Sequence, residues 1–427
     1  MPAERRQALL DKLEDRTAVI TVVGLGYVGL PVACSFADAG FRVNGLDIDA
    51  ERVQLLSRGV NPITGAEPGL DSLVERTVAD GRMRPTTLAS ECADSDIFTI
   101  NVQTPVNDEN KPDYHTLRSA ASTVGGVLKR GALVVVESTV VPGTTIGLVR
   151  SELEAASRLS AGADFLLGAC PERVMPGKLL SNLKGVARVC GGLNEASTEV
   201  MMSLYRSIVD APLDPADPTT AEFVKVSENA YRDVQIAFAN EVALIAADLG
   251  IDVWKVRDLV NKVPFRDMHR PSGGVGGHCI PKDSWLLSAA SPHNSVLLPT
   301  ARAVNDSMPT RVADSVERLL DGQTDKDAPM VLVLGYSYLP ESDDVRNSPS
   351  KQLVQELRQR HIGVSIHDPF VVEYQNGLSE KLEQATVVVK MVEHSAYSSI
   401  DFEGRTLVEA NRLGDVGQAM KVREARQ

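Results

Sequence analysis

Residues 273–283 read GGVGGHCIPKD and set Cys279 among four glycines, with His278, Lys282 and Asp283 close by. A thiol near a cation and a carboxylate can serve as a nucleophile, since its thiolate adds to a carbonyl carbon while its neighbours move the proton. The same residue types would suit a metal ligand, a disulfide partner or a small buried hydrophobe, and the last is the usual fate of an unpaired cysteine. Gly273, Gly274, Gly276 and Gly277 bring the backbone close to a ligand or hold turns closed to other residues, and they are expected to leave room beside the thiol. His278 is given no chemical role.

A second constellation lies near the start of the chain. Gly24-x-Gly26-x-x-Gly29 follows the apolar run AVITVV and opens an apolar helical pattern. The first glycine permits a tight turn, the second lets the backbone approach a pyrophosphate, and the third lets helix and strand pack closely. Asp47 ends the next predicted strand, where a carboxylate accepts hydrogen bonds from ribose hydroxyls and repels a 2′-phosphate. NAD binding is therefore expected, with Asp47 rather than Asp49 as the ribose partner.

Composition narrows the reading of Cys279. The five cysteines are odd in number and form no C-x-x-C pair, which argues against a disulfide framework and a zinc site and suits a reducing compartment. No metal is expected, and core residue or nucleophile remain open for Cys279. A net charge of −13 disfavours nucleic acid and anionic membrane surfaces as partners. The N-terminal MPAERRQALLDKLEDR lacks the apolar core of a signal peptide, and no apolar run is long enough to span a bilayer. A cytoplasmic location is expected.

The elements that position these residues follow from periodicity. β-branched runs at 18–23, 41–47, 97–102 and 133–137 alternate with helical stretches, which predicts a parallel sheet covered on both faces, completed by a smaller α/β segment at 165–192. Residues 219–249 carry apolar positions at helical spacing without proline, and Gly250 stands where a C-terminal cap belongs. That helix would be about 45 Å long, the size of a spine between domains or a dimer contact. From residue 328 the α/β pattern returns. The fold class expected is α/β, two Rossmann-like doubly wound domains joined by a central helical domain. The boundaries are 1–214 for the cofactor domain, 215–320 for the helical domain and 321–427 for the second α/β domain.

Taken together, the motifs GLGYVGLP, ESTVVPGTT (137–145), PERVMPG (171–177), EFVKVSENAYRDVQIAFANE (222–241), GGVGGHCIPKD and DDVRNSP (343–349) resemble the UDP-glucose/GDP-mannose dehydrogenase family. The resemblance covers residues 19–392. It implies four-electron oxidation of a nucleotide-sugar C6 alcohol to a carboxylate with two NAD reduced. A free aldehyde needs a tetrahedral carbon before a second hydride can leave, and a thiolate supplies one as a thiohemiacetal that becomes a thioester. The resemblance makes Cys279 that nucleophile. It makes Lys225 and Asn229, at i and i+4 on the long helix, the residues that hold the oxyanion and a water. Asp283 matches the carboxylate that assists proton transfer, with Glu172 and Thr139 as its polar partners. The cofactor site expected is Gly24, Gly26, Tyr27, Val28, Gly29 and Asp47, with Arg52, Thr104 and Thr139. The substrate site expected is Glu172, Arg173, Val174, Lys225 and Asn229, with Arg266, Gly276 and Arg346, and Arg266 is a candidate to reach a neighbouring subunit's substrate.

PERVMPG and YRDVQIAFANE look most like the branch that oxidises UDP-N-acetyl-D-mannosamine. UDP-glucose, dTDP-glucose and UDP-N-acetylglucosamine are the alternatives. One departure stands out: Leu339 occupies the place where most members carry a substrate-facing lysine. A two-electron β-hydroxyacid type of dehydrogenase would need no thiol, and a catalytically silent sugar-binding protein would not need the full set of polar residues. A homodimer through the long helix is expected.

Overall fold

The computed structural model describes residues 1–63, 65, 67–321 and 329–412. The chain forms two compact units, residues 1–228 with 285–290, and residues 229–284 with those from 291 onward.

In the first unit an eight-stranded sheet forms from β1 (Val19–Val23), β2 (Arg42–Leu46), β3 (Met83–Thr86), β4 (Ile97–Ile100), β5 (Leu133–Val136), β6 (Leu166–Ala169), β7 (Arg188–Gly192) and β8 (Leu213–Ala216). Their order is β3-β2-β1-β4-β5-β6-β7-β8. Every residue of β1 is buried, as a parallel strand covered on both faces requires. β1 pairs with β2 on one side and β4 on the other, so the chain changes direction across the sheet at the C-terminal ends of β1 and β4. Such a switch point opens a crevice for a ligand. The pairs are parallel except β6 with β7, where Gly168 faces Gly192 in an antiparallel register. One face is filled by Leu30, Phe36, Phe41 and Tyr205, and the other by Phe98, Leu117, Leu153 and Phe165. Each fully buried side chain of this size contributes about 1.5–3 kcal/mol.

The second unit has a parallel sheet of β9 (Met330–Leu334), β10 (Gly363–His367), β11 (Val387–Lys390) and β12 (Thr406–Glu409), ordered β10-β9-β11-β12. Its first strand lies between the second and the third, as β1 lies between β2 and β4. The helices Leu297–Asp321 and Pro349–Gln359 pack on it through Met308, Val312, Val316, Leu353 and Leu357.

The long helix runs Pro218–Asp248 over 31 residues. Gly250 ends it at φ +67°, and the Ile251 N–H closes on the Ala246 carbonyl at 2.8 Å. The helical segment anticipated over 215–320 is shared between the two units, with residues 215–228 and 285–290 belonging to the first. Residues 322–328 and 413–427 of the expected third domain lie outside the described residues. Among the described residues no helix is long and apolar enough to cross a membrane, and no group of His, Cys, Asp and Glu could hold a metal ion.

Candidate active site

The glycine loop has the geometry its spacing requires. Gly24 has φ +89°, and a Cβ there would lie 2.8 Å from the Asn101 carbonyl oxygen. A Cβ on Gly29 would lie 1.8 Å from the Gly24 carbonyl oxygen, so helix Gly29–Asp38 can meet the strand end only without a side chain. Gly26 has nothing within 4 Å of a Cβ position, which leaves the approach to its backbone open to a diphosphate. Tyr27 and Val28 complete the turn. Asp47 is buried and accepts from the Leu25 N–H (2.7 Å) and the Asp49 N–H (2.9 Å), so it braces the loop from the end of β2. Arg52 Nη1 lies 3.2 Å from Asp47 and is ion-paired to it. Asp49 caps helix Ala50–Ser57. These residues fit NAD: an open backbone approach at Gly26 beside an acidic group.

Two loops of the same unit lie next to this turn through contacts the sequence did not reveal. The Tyr27 hydroxyl donates to Glu67, which also accepts from the Gly177 N–H (2.7 Å) and the Leu179 N–H (3.3 Å). Glu67 therefore ties the PERVMPG loop to the glycine loop. Thr104 Oγ donates to the Thr139 carbonyl oxygen at 2.5 Å and brings these two candidates together.

Glu172 is buried and accepts from the Val174 N–H at 2.5 Å, which folds its loop upon itself. Arg173, expected at the substrate, has Nε 3.0 Å and Nη2 2.6 Å from the Glu228 carboxylate, a bidentate bond that holds the loop to the long helix. Lys225 is buried. Three residues before it, Glu222 accepts from the Gly143 N–H (2.6 Å) and the Thr145 N–H (2.8 Å) and so fixes the ESTVVPGTT loop to the Lys225 turn. Burial pushes the Glu222 carboxyl up to about 7, against the downward pull of those bonds. Beneath both loops Glu137 accepts from the Tyr205 hydroxyl (2.6 Å), with Arg188 at 3.9 Å. Burial raises the Glu137 carboxyl, and the Arg188 guanidinium opposes the rise.

In the second unit Cys279 is exposed and begins helix Cys279–Ala290, a position where the helix dipole favours negative charge. Asp283 lies one turn further on the same face and is fully buried. Its Oδ2 accepts from Asn229 Nδ2 at 2.6 Å. Its Oδ1 has no hydrogen bond among the described residues, with Lys282 Nζ 3.4 Å away. Asn229 and Asp283 are thus brought together, with one carboxylate oxygen hydrogen-bonded to the amide and the other ion-paired to Lys282. Asp233, one turn along from Asn229, accepts from Ser284 Oγ (2.7 Å), Arg302 Nη1 (2.7 Å) and Asn305 Nδ2 (2.8 Å). The second turn of the thiol helix is therefore seated on the long helix at two successive residues, Asp283 and Ser284. Burial, with the cations Lys282 and Arg346, lowers the His278 pKa and favours a neutral ring.

The glycines before Cys279 are themselves covered by side chains from other segments. Gly276 and Gly277 are covered by Tyr338, Gly273 by Ala410 and Met391, and Gly274 by Pro349 and Pro309. They are glycines because neighbouring side chains pack onto their backbone. Arg346 makes a bidentate bond to Asp344, with Nε–Oδ1 at 2.9 Å and Nη2–Oδ2 at 2.5 Å. Arg266 is exposed beside Phe265, and its recorded hydrogen bond goes to the carbonyl of that neighbour.

Glu67, Glu222, Glu228, Asp233, Tyr338 and Asn347 were absent from the sequence reading. Only Asp233 carried a signal that could have been read, its place at i+4 from Asn229 on one helix face.

The three domain descriptions of one family match nearly the whole chain: an NAD binding domain over residues 18–209, a central domain over 219–307 and a UDP binding domain over 332–421. The UDP-N-acetyl-D-mannosamine dehydrogenase of Pyrococcus horikoshii is 38% identical over 385 residues, covering 90% of this chain and 91% of that protein. The solved structure of the UDP-D-ManNAc dehydrogenase from that organism matches with a TM-score of 0.88 at 35% identity, over 93% of this chain and all of the other. An NDP-N-acetyl-D-galactosaminuronic acid dehydrogenase of Ralstonia nicotianae is 36% identical over 90% of this chain and 92% of that protein. A UDP-glucose dehydrogenase structure from Pyrobaculum islandicum has a TM-score of 0.83 at 31% identity, covering 92% and 94% of the two chains. With the glycine loop, the buried acid at the end of β2 and the thiol helix in place, the chain belongs to the UDP-glucose/GDP-mannose dehydrogenase family and is an NAD-dependent nucleotide-sugar dehydrogenase.

Proposed function

We propose that this enzyme oxidises the C6 alcohol of UDP-N-acetyl-D-mannosamine to the uronate in two hydride transfers, through a covalent intermediate on Cys279. The observation that carries the reading is an exposed thiol at a helix start, one turn before a buried carboxylate that Asn229 orients and Lys282 pairs with. NAD, held by the glycine loop and Asp47, would supply the hydride acceptor for each oxidation at C6. After the first, the Cys279 thiolate adds to the aldehyde carbon, and Lys225 stabilises the negative oxygen of the thiohemiacetal. Loss of the second hydride leaves a thioester. Asp283, its Oδ2 held by Asn229, takes a proton from water at Oδ1 as that water attacks the thioester carbon, and the thiolate departs. The balance is one alcohol, two NAD⁺ and one water giving one carboxylate, two NADH and three protons.

The names of the relatives support the UDP-linked N-acetylhexosamine, and the spread of sugars among them makes the epimer the point to test. We assign residues 1–214 to the cofactor, 215–320 to the helical domain and 321–427 to the nucleotide sugar. The long helix also suits a homodimer: Tyr231, Phe238 and Ile245 recur every seven residues with their large apolar surfaces exposed. The test is NADH release and uronate formation by the purified enzyme with UDP-N-acetyl-D-mannosamine, UDP-N-acetylglucosamine, UDP-glucose and dTDP-glucose. The reading expects the highest kcat/KM with the first and two NADH per uronate. One NADH per turnover, or a preference for a sugar without the N-acetyl group, overturns it.

A further inference from the structure

The peptide of Gly277 is held at both of its polar groups by a segment seventy residues away in sequence. Its N–H donates to the Arg346 carbonyl at 2.9 Å, and its carbonyl accepts from Asn347 Nδ2 at 3.0 Å. Tyr338 covers the same stretch: a Cβ would lie 2.4 Å from Tyr338 Cβ on Gly276, and 2.8 Å from the Tyr338 ring on Gly277. Tyr338 is in turn fixed by its own N–H, which donates to the Asp344 carbonyl at 3.0 Å. Asn347 adopts φ +48°, a conformation that asparagine tolerates better than most residues other than glycine. Its left-handed backbone is what turns the amide toward Gly277. Cys279 starts its helix two residues later, so the register of that helix start depends on this clamp.

We propose that Asn347 is a positioning residue for the Cys279 thiol, with Tyr338 as the surface against which the thiol loop is pressed; this rests on the reading of Cys279 as nucleophile. Arg346, whose carbonyl is half of the clamp, is also the candidate contact for the anionic end of the nucleotide sugar. The segment that reads the diphosphate and the loop that carries the nucleophile are thereby one piece, and the reach from diphosphate to thiol is set by the clamp. The role should therefore appear in the chemical steps rather than in binding.

Asn347→Gly tests this cleanly, because glycine keeps the left-handed backbone and removes only the amide. Loss of one positioning hydrogen bond predicts a kcat lowered about fivefold to tenfold, with KM for NAD and nucleotide sugar unchanged. The rate of Cys279 alkylation by iodoacetamide, read on the Cys279 peptide by mass spectrometry, should change by a similar factor. Asn347→Asp, which sets a carboxylate against the Gly277 carbonyl, should do more. The two variants are scored separately, so one that fails to fold leaves the other to decide. Wild-type kcat and alkylation rate in a folded variant overturn the proposal, as does a raised KM with unchanged kcat. Alkylation needs no turnover. Acid formation by Cys279→Ala would therefore defeat the nucleophile reading while the Asn347 variants still report on the clamp.

Discussion

Replacing Asp233 should expose how the thiol helix is seated. Its carboxylate is fully buried and binds Arg302, itself buried, together with Ser284 and Asn305. Asp233→Ala leaves the guanidinium inside the protein with Asp306, whose side chain is 57% exposed, as its remaining carboxylate partner. Breaking one side of a buried ion pair costs about 3–5 kcal/mol, and about 4 is expected here. Ser284→Ala removes one hydroxyl bond to a charged acceptor and leaves the ion pair, so about 1.5 kcal/mol is expected. Asp233→Ala combined with Arg302→Met removes both charges, and a large part of the loss should return, because no buried charge is then left unpaired. Urea unfolding of the wild type, Asp233→Ala, Arg302→Met, Ser284→Ala and the double variant, extrapolated to water, measures these differences. The reasoning is refuted if Asp233→Ala costs less than about 1 kcal/mol, or if the double variant is as unstable as the two single losses added together. Since Ser284 adjoins Asp283, Ser284→Ala should also lower kcat while sparing NAD binding.

Two further outcomes follow from the first unit. Gly26→Ala should fold normally, since its Cβ meets nothing within 4 Å, yet lose NADH affinity in a fluorescence titration; Gly29→Ala, with a Cβ 1.8 Å from the Gly24 carbonyl oxygen, should lower the melting temperature as well. Glu222 has a folded-state value of about 7 against an ordinary 4.5, so its neutral form suits the fold better. Its contribution is complete below about 4.5 and lost as pH rises through about 7, worth at most about 3 kcal/mol. Melting curves should therefore show wild-type stability falling over that window more steeply than Glu222→Gln, and equal slopes would contradict the assignment.

What the sequence disclosed was the chemistry that depends on short stretches of chain. The turn at Gly24–Gly26–Gly29 and the acid at the end of β2 are set by one strand, one turn and one helix, so their spacing carries their geometry. Cys279 and Asp283 share a helix, and Lys225 and Asn229 share another, which made each pair legible as a face. What escaped was the set of long-range partners. The glycines before Cys279 read as room because nothing nearby in sequence indicates Tyr338, which packs onto them from another segment. The partner of Arg173, Glu228, stands 55 residues away in sequence and could not be read from it. Glu67 and Glu222 are acids in polar surroundings, and only the folded chain shows the backbone N–H groups aimed at them. The Asn347 amide is likewise a turn residue in sequence and a clamp in space.

The most direct test of the account is to quench the enzyme with acid during turnover of UDP-N-acetyl-D-mannosamine and weigh the peptide that contains Cys279. A thioester with the nucleotide-sugar uronyl group on that peptide is predicted, together with no uronate formation by Cys279→Ala. An unmodified Cys279 peptide, alongside uronate production by Cys279→Ala, would contradict the central claim.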